Sequence, residues 1–250
     1  EASWAGGGII SPLYPWRYAP SITALATWSQ QAFPDLIASL NESTGIDSEL
    51  STEGMLVTAT DEREQALAWG VGLSPKVIEI SDEEARVLEP NVQLDETPLW
   101  MPRVSSVRSS RMGRALRQAC LNHPKIQLLE YREVILSGDL DSPKVSSQSQ
   151  RYVGGRVVLA AGAWTGNMFT GVKLSCPIKP MKGQMLLFGP CDLVNRVVLA
   201  NGRYAIPRAD GRIVFGSTLG NITLHLTIVT FPTSSLLIKF ANLPKKNPNR

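Results

Sequence analysis

A short apolar run past the middle of the chain constrains the fold more than any other feature. In the stretch "RVVLAAGAWTG", residues 157–160 are valine, valine, leucine and alanine, with no polar residue between them. A strand with one solvated face alternates apolar and polar residues, whereas a strand buried on both faces has a continuous apolar sequence. The run therefore predicts a parallel strand inside an α/β sheet that is covered on both sides.

Small residues follow this run directly. Ala161, Gly162 and Ala163 stand at the carboxyl end of the predicted strand. In open α/β sheets ligands bind in a crevice at this end, and small residues leave room for them. Close packing of a helix on the strand needs small residues too, so the residues alone leave both interpretations open.

Three further segments are typical of antiparallel strands. They are "PMKGQMLLF", "RVVLANGRYAIP" and "GRIVFGSTL", and the Asp210-Gly211 pair between the last two predicts a type I′ hairpin turn. Apolar spacing predicts helices over residues 22–45 and 109–122. The chain is therefore expected to have a mixed α/β fold with α+β character.

Three consecutive glycines stand near the amino terminus, in "WAGGGIISPLYPW". Glycine in regular structure costs roughly 0.5–1 kcal/mol relative to alanine, but it admits positive φ and lets a ligand approach the backbone closely. Gly6, Gly7 and Gly8 are therefore candidate ligand contacts. A solvent-exposed turn would explain the same three residues.

Composition excludes several classes of function. The last 30 residues hold four basic side chains and no acidic one, and the other 220 hold 21 basic against 22 acidic. Nothing in this nearly neutral body resembles the basic surface that follows a nucleic-acid backbone, so no nucleic-acid partner is expected. His225 and Pro232 interrupt the apolar C-terminal stretch, so no membrane span is expected.

The metal-binding and thiol residues are few and scattered. The cysteines are Cys120, Cys176 and Cys191, an odd number at wide spacing that fits neither a disulfide framework nor a zinc site. The two histidines, His123 and His225, lack a ligand motif. We therefore expect no metal and a cytoplasmic location.

Four separated segments together resemble the FAD-dependent D-amino-acid oxidase family. In the order of the family they are "ASWAGGGIISPLYPWRY", "VVLAAGAWTG", "PMKGQMLLF" and "RYAIPRADGRIVFGSTL". The resemblance implies a partial Rossmann-type FAD-binding domain (1–50 and 103–170). It also implies a substrate domain (51–102 and 171–219) on a large mixed, mainly antiparallel sheet. Residues 220–250 remain an unassigned tail.

The same resemblance carries over site residues position by position. It implies FAD contacts at seven residues, namely Glu1, Ala2, Gly6, Gly7, Gly8, Val134 and Gly162. Tyr204 matches the active-site tyrosine that positions the substrate carboxylate, although a tyrosine with a buried ring and a wet hydroxyl is the ordinary alternative in a strand. Leu219 matches a pocket-lining position, and Lys182 would face either the flavin or solvent.

The implied reaction is oxidation of the amine of glycine or another small amino acid to an imine. Oxygen would be reduced to hydrogen peroxide, and the imine would supply the thiazole of thiamine. The whole protein is expected to be a homo-oligomer. The alternative is a non-catalytic fragment or interaction protein that keeps the oxidase fold.

Three elements of the family pattern have no match in this sequence. They are the GxGxxG fingerprint, an arginine that pairs with the substrate carboxylate, and a glycine-rich segment that closes over the flavin. We therefore expect a chain truncated at both ends, in which the departure after Leu219 reflects a truncated or frame-shifted reading.

Overall fold

The computed structural model describes residues 2–71, 77–94, 96–139, 142–168, 178, 180–220 and 228–231. Contacts divide the chain into two compact units. The first comprises 1–122, 184–218 and 226–250, and the second comprises 123–183 and 219–225. The domain boundaries expected from the resemblance stay a prediction, because compactness assigns no function to a unit.

The helices lie mainly in the first unit. They are α1 (Ala2–Ala5), α2 (Pro20–Thr44), α3 (Arg63–Gly70), α4 (Asp82–Leu88) and α5 (Ser109–Asn122), with short 3₁₀ helices at Pro15–Arg17 and Gly162–Met168. None of the described helices is long and apolar enough to cross a membrane. Both long helices fall where the apolar spacing predicted them.

α2 begins with Pro20 in its first turn and continues past Pro34. It ends at Gly45, which has φ 68° and donates its amide to the carbonyl of Asn41 at 2.9 Å. Ile37 and Leu40 of this helix are buried in a cluster with Ala115 of α5. This cluster packs the two long helices together.

A large mixed sheet forms the centre of the first unit. Its strands are β2 (Met55–Ala59), β3 (Ile78–Glu79), β4 (Leu99–Met101), β9 (Lys182–Phe188), β10 (Val197–Ala200), β11 (Arg203–Pro207), β12 (Ile213–Gly220) and β13 (Ile228–Phe231). They are ordered β13-β9-β12-β11-β10-β2-β4-β3. β10 is parallel to β2 and β13 is parallel to β9, whereas β2, β4 and β3 pair antiparallel, as do β10, β11 and β12. The large mixed sheet expected from the sequence is thus confirmed.

The type I′ turn lies at a different hairpin from the one predicted. Asn201 and Gly202, between β10 and β11, have φ 47° and 79°, and a type I′ turn requires positive φ at both central residues. In the Asp210-Gly211 turn, the glycine alone has positive φ, at 77°. That hairpin closes as a three-residue loop, in which the Arg208 amide donates to the Arg212 carbonyl at 2.8 Å.

The second unit contains a three-stranded antiparallel sheet of β6 (Ile135–Asp139), β7 (Ser142–Ser146) and β8 (Arg151–Tyr152). The stretch "SGDLDSPKVSSQSQ" (137–150) is polar and predicts a connecting loop, but its residues 142–146 form β7. Leu136 pairs with Val145 across the ladder, and Leu136 is buried. One apolar cross-strand pair and the backbone hydrogen bonds suffice to form strands from polar residues.

The apolar run at 157–160, which predicted a doubly buried strand, forms neither helix nor strand. Val158 is 87% exposed, and no described strand pairs with this run. A strand of this kind exists only where neighbouring strands and covering helices accept its two faces. The run therefore has the composition of a buried strand, but among the described residues no strand pairs with it.

Candidate functional site

The glycine segment of residues 6–8 connects α1 to a short ladder. Strand β1 (Ile9–Ile10) pairs antiparallel with β5 (Ser105–Ser106). Beside this ladder the amide of Val107 donates to the Gly8 carbonyl at 2.9 Å. Two parts of the chain about one hundred residues apart thus hold the glycine segment in place.

Two of the three glycines are required by contacts within the protein. Gly8 has φ 80°, and a Cβ on it would lie 2.0 Å from the Val107 carbonyl oxygen. A Cβ on Gly7 would lie 2.9 Å from Cδ1 of Ile206 and 3.2 Å from Cε2 of Tyr204. Gly6, by contrast, is exposed, and its Cβ would stand 3.4 Å or more from the nearest atom. A side chain is therefore excluded by main chain at position 8 and would have to displace the side chains of Ile206 and Tyr204 at position 7, while position 6 presents bare backbone to the outside.

Tyr204 is buried in the middle of β11, next to the glycine segment. Its hydroxyl lies 4.0 Å from the sulfur of Met185 and is hydrogen-bonded to the Ser217 side chain. Burial raises the pKa of the phenol above its usual value, although the Ser217 bond and the positive charge of Arg208 oppose the rise. The phenol is therefore neutral at physiological pH and keeps a proton that it can donate.

Arg208 is the residue that the sequence reasoning missed. It follows β11 and donates from Nη2 to the Gly7 carbonyl at 2.7 Å and from Nη1 to the Val107 carbonyl at 3.0 Å. Burial, and then the nearby charge of Arg108, lower the pKa of Arg208 to about 10, so it stays protonated at neutral pH. No sequence pattern identifies such a residue, because both acceptors are main-chain atoms about 100 and 200 positions away.

An ion network adjoins Arg208. Arg108 binds Glu49 at 3.0 Å and Asp210 at 2.9 Å. Arg111 also binds Glu49 at 3.0 Å, and Arg212 binds Asp210 at 2.7 Å. Both carboxylates beside Arg208 are thus paired with other arginines.

A pocket of about 460 Å³ lies on the other side of the glycine segment. Its walls are residues 8–12 and residues of α2 and α5, mostly apolar, with hydroxyls from Ser3 and Ser109. Gly113 of α5 also lines it, and a Cβ there would meet no atom within 4 Å. An apolar pocket of this size with a few polar groups is typical of a cofactor site, so the residues present fit part of a flavin.

The structure brings together some of the predicted site residues. A Cβ added to Gly7 would lie 3.2 Å from the Tyr204 ring, and Gly8 lines the pocket, so the glycine segment adjoins both. Ala2 is exposed on α1, and Glu1 lies outside the described residues.

The other predicted residues are placed separately. In the second unit, Val134 is half-buried just before β6, and Gly162, exposed with φ 56°, opens a 3₁₀ helix. Lys182 and Leu219 belong to β9 and β12, but their side chains are outside the described part of the chain. Within that part, no three His, Cys, Asp or Glu side chains cluster as metal ligands would.

The mixed sheet and the apolar pocket are typical of an enzyme that binds a cofactor. The chain matches the family described as FAD dependent oxidoreductase over residues 1–241. It therefore belongs to this FAD-dependent family, which confirms the resemblance found in the sequence.

Within the family, the chain is similar to glycine oxidases. It is 42% identical over 224 residues to glycine oxidase from Pseudomonas aeruginosa and 41% identical over 228 residues to that from Pseudomonas putida. Both matches cover 88% of this chain and 61% of the relative, so the chain spans about three fifths of their length. The crystal structure of glycine oxidase from Geobacillus kaustophilus superposes with a TM-score of 0.76 at 27% identity, over 89% of this chain and 63% of that one.

Proposed function

We propose that this chain is part of an oxidase that converts the amine of glycine or another small amino acid to an imine. The observation that carries the proposal is that Gly7 neighbours the buried ring of Tyr204, since a Cβ added to Gly7 would lie 3.2 Å from Cε2 of that ring. It joins the two segments for which the resemblance implies a flavin contact and a substrate contact. The 42% identity to a glycine oxidase supports the choice of substrate class.

Tyr204 would orient the substrate. A neutral phenol held by burial can donate a hydrogen bond to the substrate carboxylate. Its ring is packed between Gly7, Met185 and Gly216. A Cβ added to Gly7 or to Gly216 would come within about 3.3 Å of Met185 and of Tyr204. A fixed donor of this kind positions the α-carbon, and positioning contributes up to about 7–11 kcal/mol of barrier reduction in well-oriented reactions.

The glycine segment would hold the cofactor. Exposed Gly6 backbone and the pocket beyond Gly8 are the groups of the first unit that fit a flavin, with Ala2 and Glu1 preceding them in the chain. When bound, FAD accepts the hydride from the substrate α-carbon and passes the electrons to oxygen. Contacts from Val134 and Gly162 remain part of this proposal.

A substrate that binds with a neutral amine needs no side-chain base for hydride loss. The carboxylates beside the site, Glu49 and Asp210, are both engaged in ion pairs with Arg108. The reaction would then depend on orientation and on the exclusion of water by the residues around Tyr204.

The finer parts of the proposal follow the resemblance. They are release of hydrogen peroxide, use of the imine for the thiazole of thiamine, a cytoplasmic location and a homo-oligomeric whole protein. The domain boundaries at 50, 102 and 170 belong with them.

A non-catalytic role is the second candidate. It is favoured by the run at 157–160, where Val158 is 87% exposed although the sequence predicts a buried strand. A chain with an incomplete flavin site would keep the large sheet and the Gly7–Tyr204 contact without redox activity.

The two candidates are separated by a chimera. Residues 1–219 replace the matching part of the Pseudomonas aeruginosa relative, and the purified protein is examined for a flavin absorption band and for peroxide release with glycine, sarcosine and D-alanine. We expect bound FAD and glycine turnover in the chimera, and weak or no FAD retention by the 250-residue chain alone. A chimera that folds but does not turn over glycine would refute the oxidase proposal.

Tyr204→Phe in that chimera tests the substrate role. The ring and its packing remain, so flavin content and melting temperature should stay unchanged while KM for glycine rises about tenfold, the equivalent of one hydrogen bond to a charged group. Tyr152→Phe is the matched control and should leave KM unchanged.

A further inference from the structure

We propose that Arg208 is a positioning residue that pins the glycine segment against Tyr204 by holding the carbonyls of Gly7 and Val107 at the same time. We call these two hydrogen bonds the Arg208 pin. The existence of the pin concerns this chain alone, whereas its role toward the flavin and substrate rests on the proposed function.

The geometry joins three distant parts of the chain at one guanidinium. Nη2 of Arg208 donates to the Gly7 carbonyl at 2.7 Å, and Nη1 donates to the Val107 carbonyl at 3.0 Å. The same two segments are linked independently by the amide of Val107 and the carbonyl of Gly8. Arg208 therefore closes a ring of three hydrogen bonds around the glycine segment.

The base of the Arg208 side chain is itself held rigidly. Its amide donates to the Arg212 carbonyl at 2.8 Å, and its carbonyl accepts from Gly211 at 2.9 Å, within the β11–β12 hairpin. The guanidinium is thus presented from a tight turn of the large sheet, which also carries Tyr204 four residues earlier. Any displacement of Gly7 relative to this sheet must stretch the bond to Arg208.

The positive charge of Arg208 interacts with the dipoles of two main-chain carbonyls. Glu49 and Asp210, the acidic groups nearby, bind Arg108. Charge-assisted hydrogen bonds are roughly twice as strong as neutral ones, and a planar fork reaches two acceptors that a lysine ammonium cannot hold in the same geometry. Arginine at this position is therefore specific for fixing two carbonyls at a set separation.

The pin has a direct consequence for the site. Gly7 has no room to move toward β11, because Ile206, Tyr204 and Met185 already lie at contact distance from its missing Cβ. Arg208 prevents movement in the opposite direction, away from the sheet. Together they determine how far the Gly6 backbone stands from the Tyr204 phenol.

Hydrogen exchange in the 250-residue chain tests the pin without any flavin. In Arg208→Met, amides of residues 7–10 and 105–107 should exchange about tenfold faster or more, as loss of a charge-assisted hydrogen bond implies. Arg208→Lys should give a smaller increase, and amides of β2 and β10 should be unchanged in both. The control Arg203→Met removes a cation from the other end of β11 and should change none of them.

Chemical rescue separates positioning from general destabilisation. Added methylguanidinium should slow exchange of residues 7–10 in Arg208→Ala and should have no such effect on Arg203→Ala. If Arg208→Met does not fold, Arg208→Lys and the rescue of Arg208→Ala decide the question. Unchanged exchange at residues 7–10 in folded variants, or acceleration that methylguanidinium leaves in place, would overturn the proposal.

A titration with FAD links the pin to the proposed function. Quenching of flavin fluorescence should show severalfold weaker binding by Arg208→Met than by Arg203→Met in the chimera with the Pseudomonas aeruginosa relative. If the parent chimera binds no FAD, the proposed function fails while the exchange result still decides the pin. If all variants bind FAD equally and exchange is accelerated as expected, the pin stands and its role toward the cofactor is refuted.

Discussion

Substitution of Gly8 by alanine tests the steric account of the glycine segment. The φ of 80° at this position alone costs an L-residue about 1–2 kcal/mol. The new Cβ would also stand 2.0 Å from the Val107 carbonyl oxygen, far inside contact distance. Relieving that clash requires a shift of the ladder that Arg208 holds. Overpacking of this kind costs about 1–3 kcal/mol.

The expected loss for Gly8→Ala is therefore about 2–5 kcal/mol in the free energy of unfolding, from a total of about 5–15 kcal/mol for an ordinary domain. Gly45→Ala is the matched control, because Gly45 has φ 68° but a Cβ there would meet nothing within 4 Å. It should lose only about 1–2 kcal/mol from the backbone conformation.

The assay is urea unfolding of the 250-residue chain followed by circular dichroism, with midpoints compared at equal slopes. Gly113→Ala, in the interior of α5 with open space around its Cβ, should gain about 0.5–1 kcal/mol. Equal losses for Gly8→Ala and Gly45→Ala would show that the contact with Val107 contributes nothing, and the steric account would be wrong.

Three further outcomes are expected. Glu89→Ala should lose about 3–5 kcal/mol by urea unfolding, because its buried carboxylate accepts backbone amides of Asn195 at 2.9 Å and Arg196 at 2.7 Å, which would be left unpaired. In an absorbance titration at 295 nm, Tyr204 should ionise at a higher pH than an exposed tyrosine, because burial raises its pKa. Tyr204→Phe should remove this ionisation step at high pH. Burial opposes ionisation of Asp210, but its bonds to arginines outweigh burial and lower its pKa. The stability that this shift contributes is present above about pH 4 and is lost as the pH falls further. Asp210→Asn should abolish this dependence of the free energy of unfolding on pH.

Local elements of this protein follow from local sequence. The helix over Ser109–Asn122 has the boundaries that apolar spacing predicts, and Ser81 and Glu84, three residues apart, form a capping box at the start of α4. Both depend on atoms within a few residues of each other, so the sequence contains the whole cause. Leu116 belongs to the apolar positions of α5 but is 41% exposed, because burial depends on what packs against the helix.

The candidate site could be predicted only in part. The glycines and Tyr204 stood out as residue types in a family pattern, and the contact between Gly7 and Tyr204 became visible only once the chain was folded. The reason for Gly8 also changed. A ligand was the expected cause, whereas the Val107 carbonyl alone excludes a side chain there.

The sequence by itself determined the family, the redox cofactor class and the positions of the long helices and the C-terminal hairpins. The family and the cofactor class are implied by the resemblance of four sequence segments, whereas the helices and hairpins follow from residue type and short spacing, which a linear chain displays directly. Only the tertiary structure decided that the run at 157–160 is exposed, that the type I′ turn lies at Asn201-Gly202, and that Arg208 holds Gly7 and Val107. Strand pairing, burial and hydrogen bonds to distant carbonyls depend on which segments meet in space, and residue identities alone do not specify those meetings.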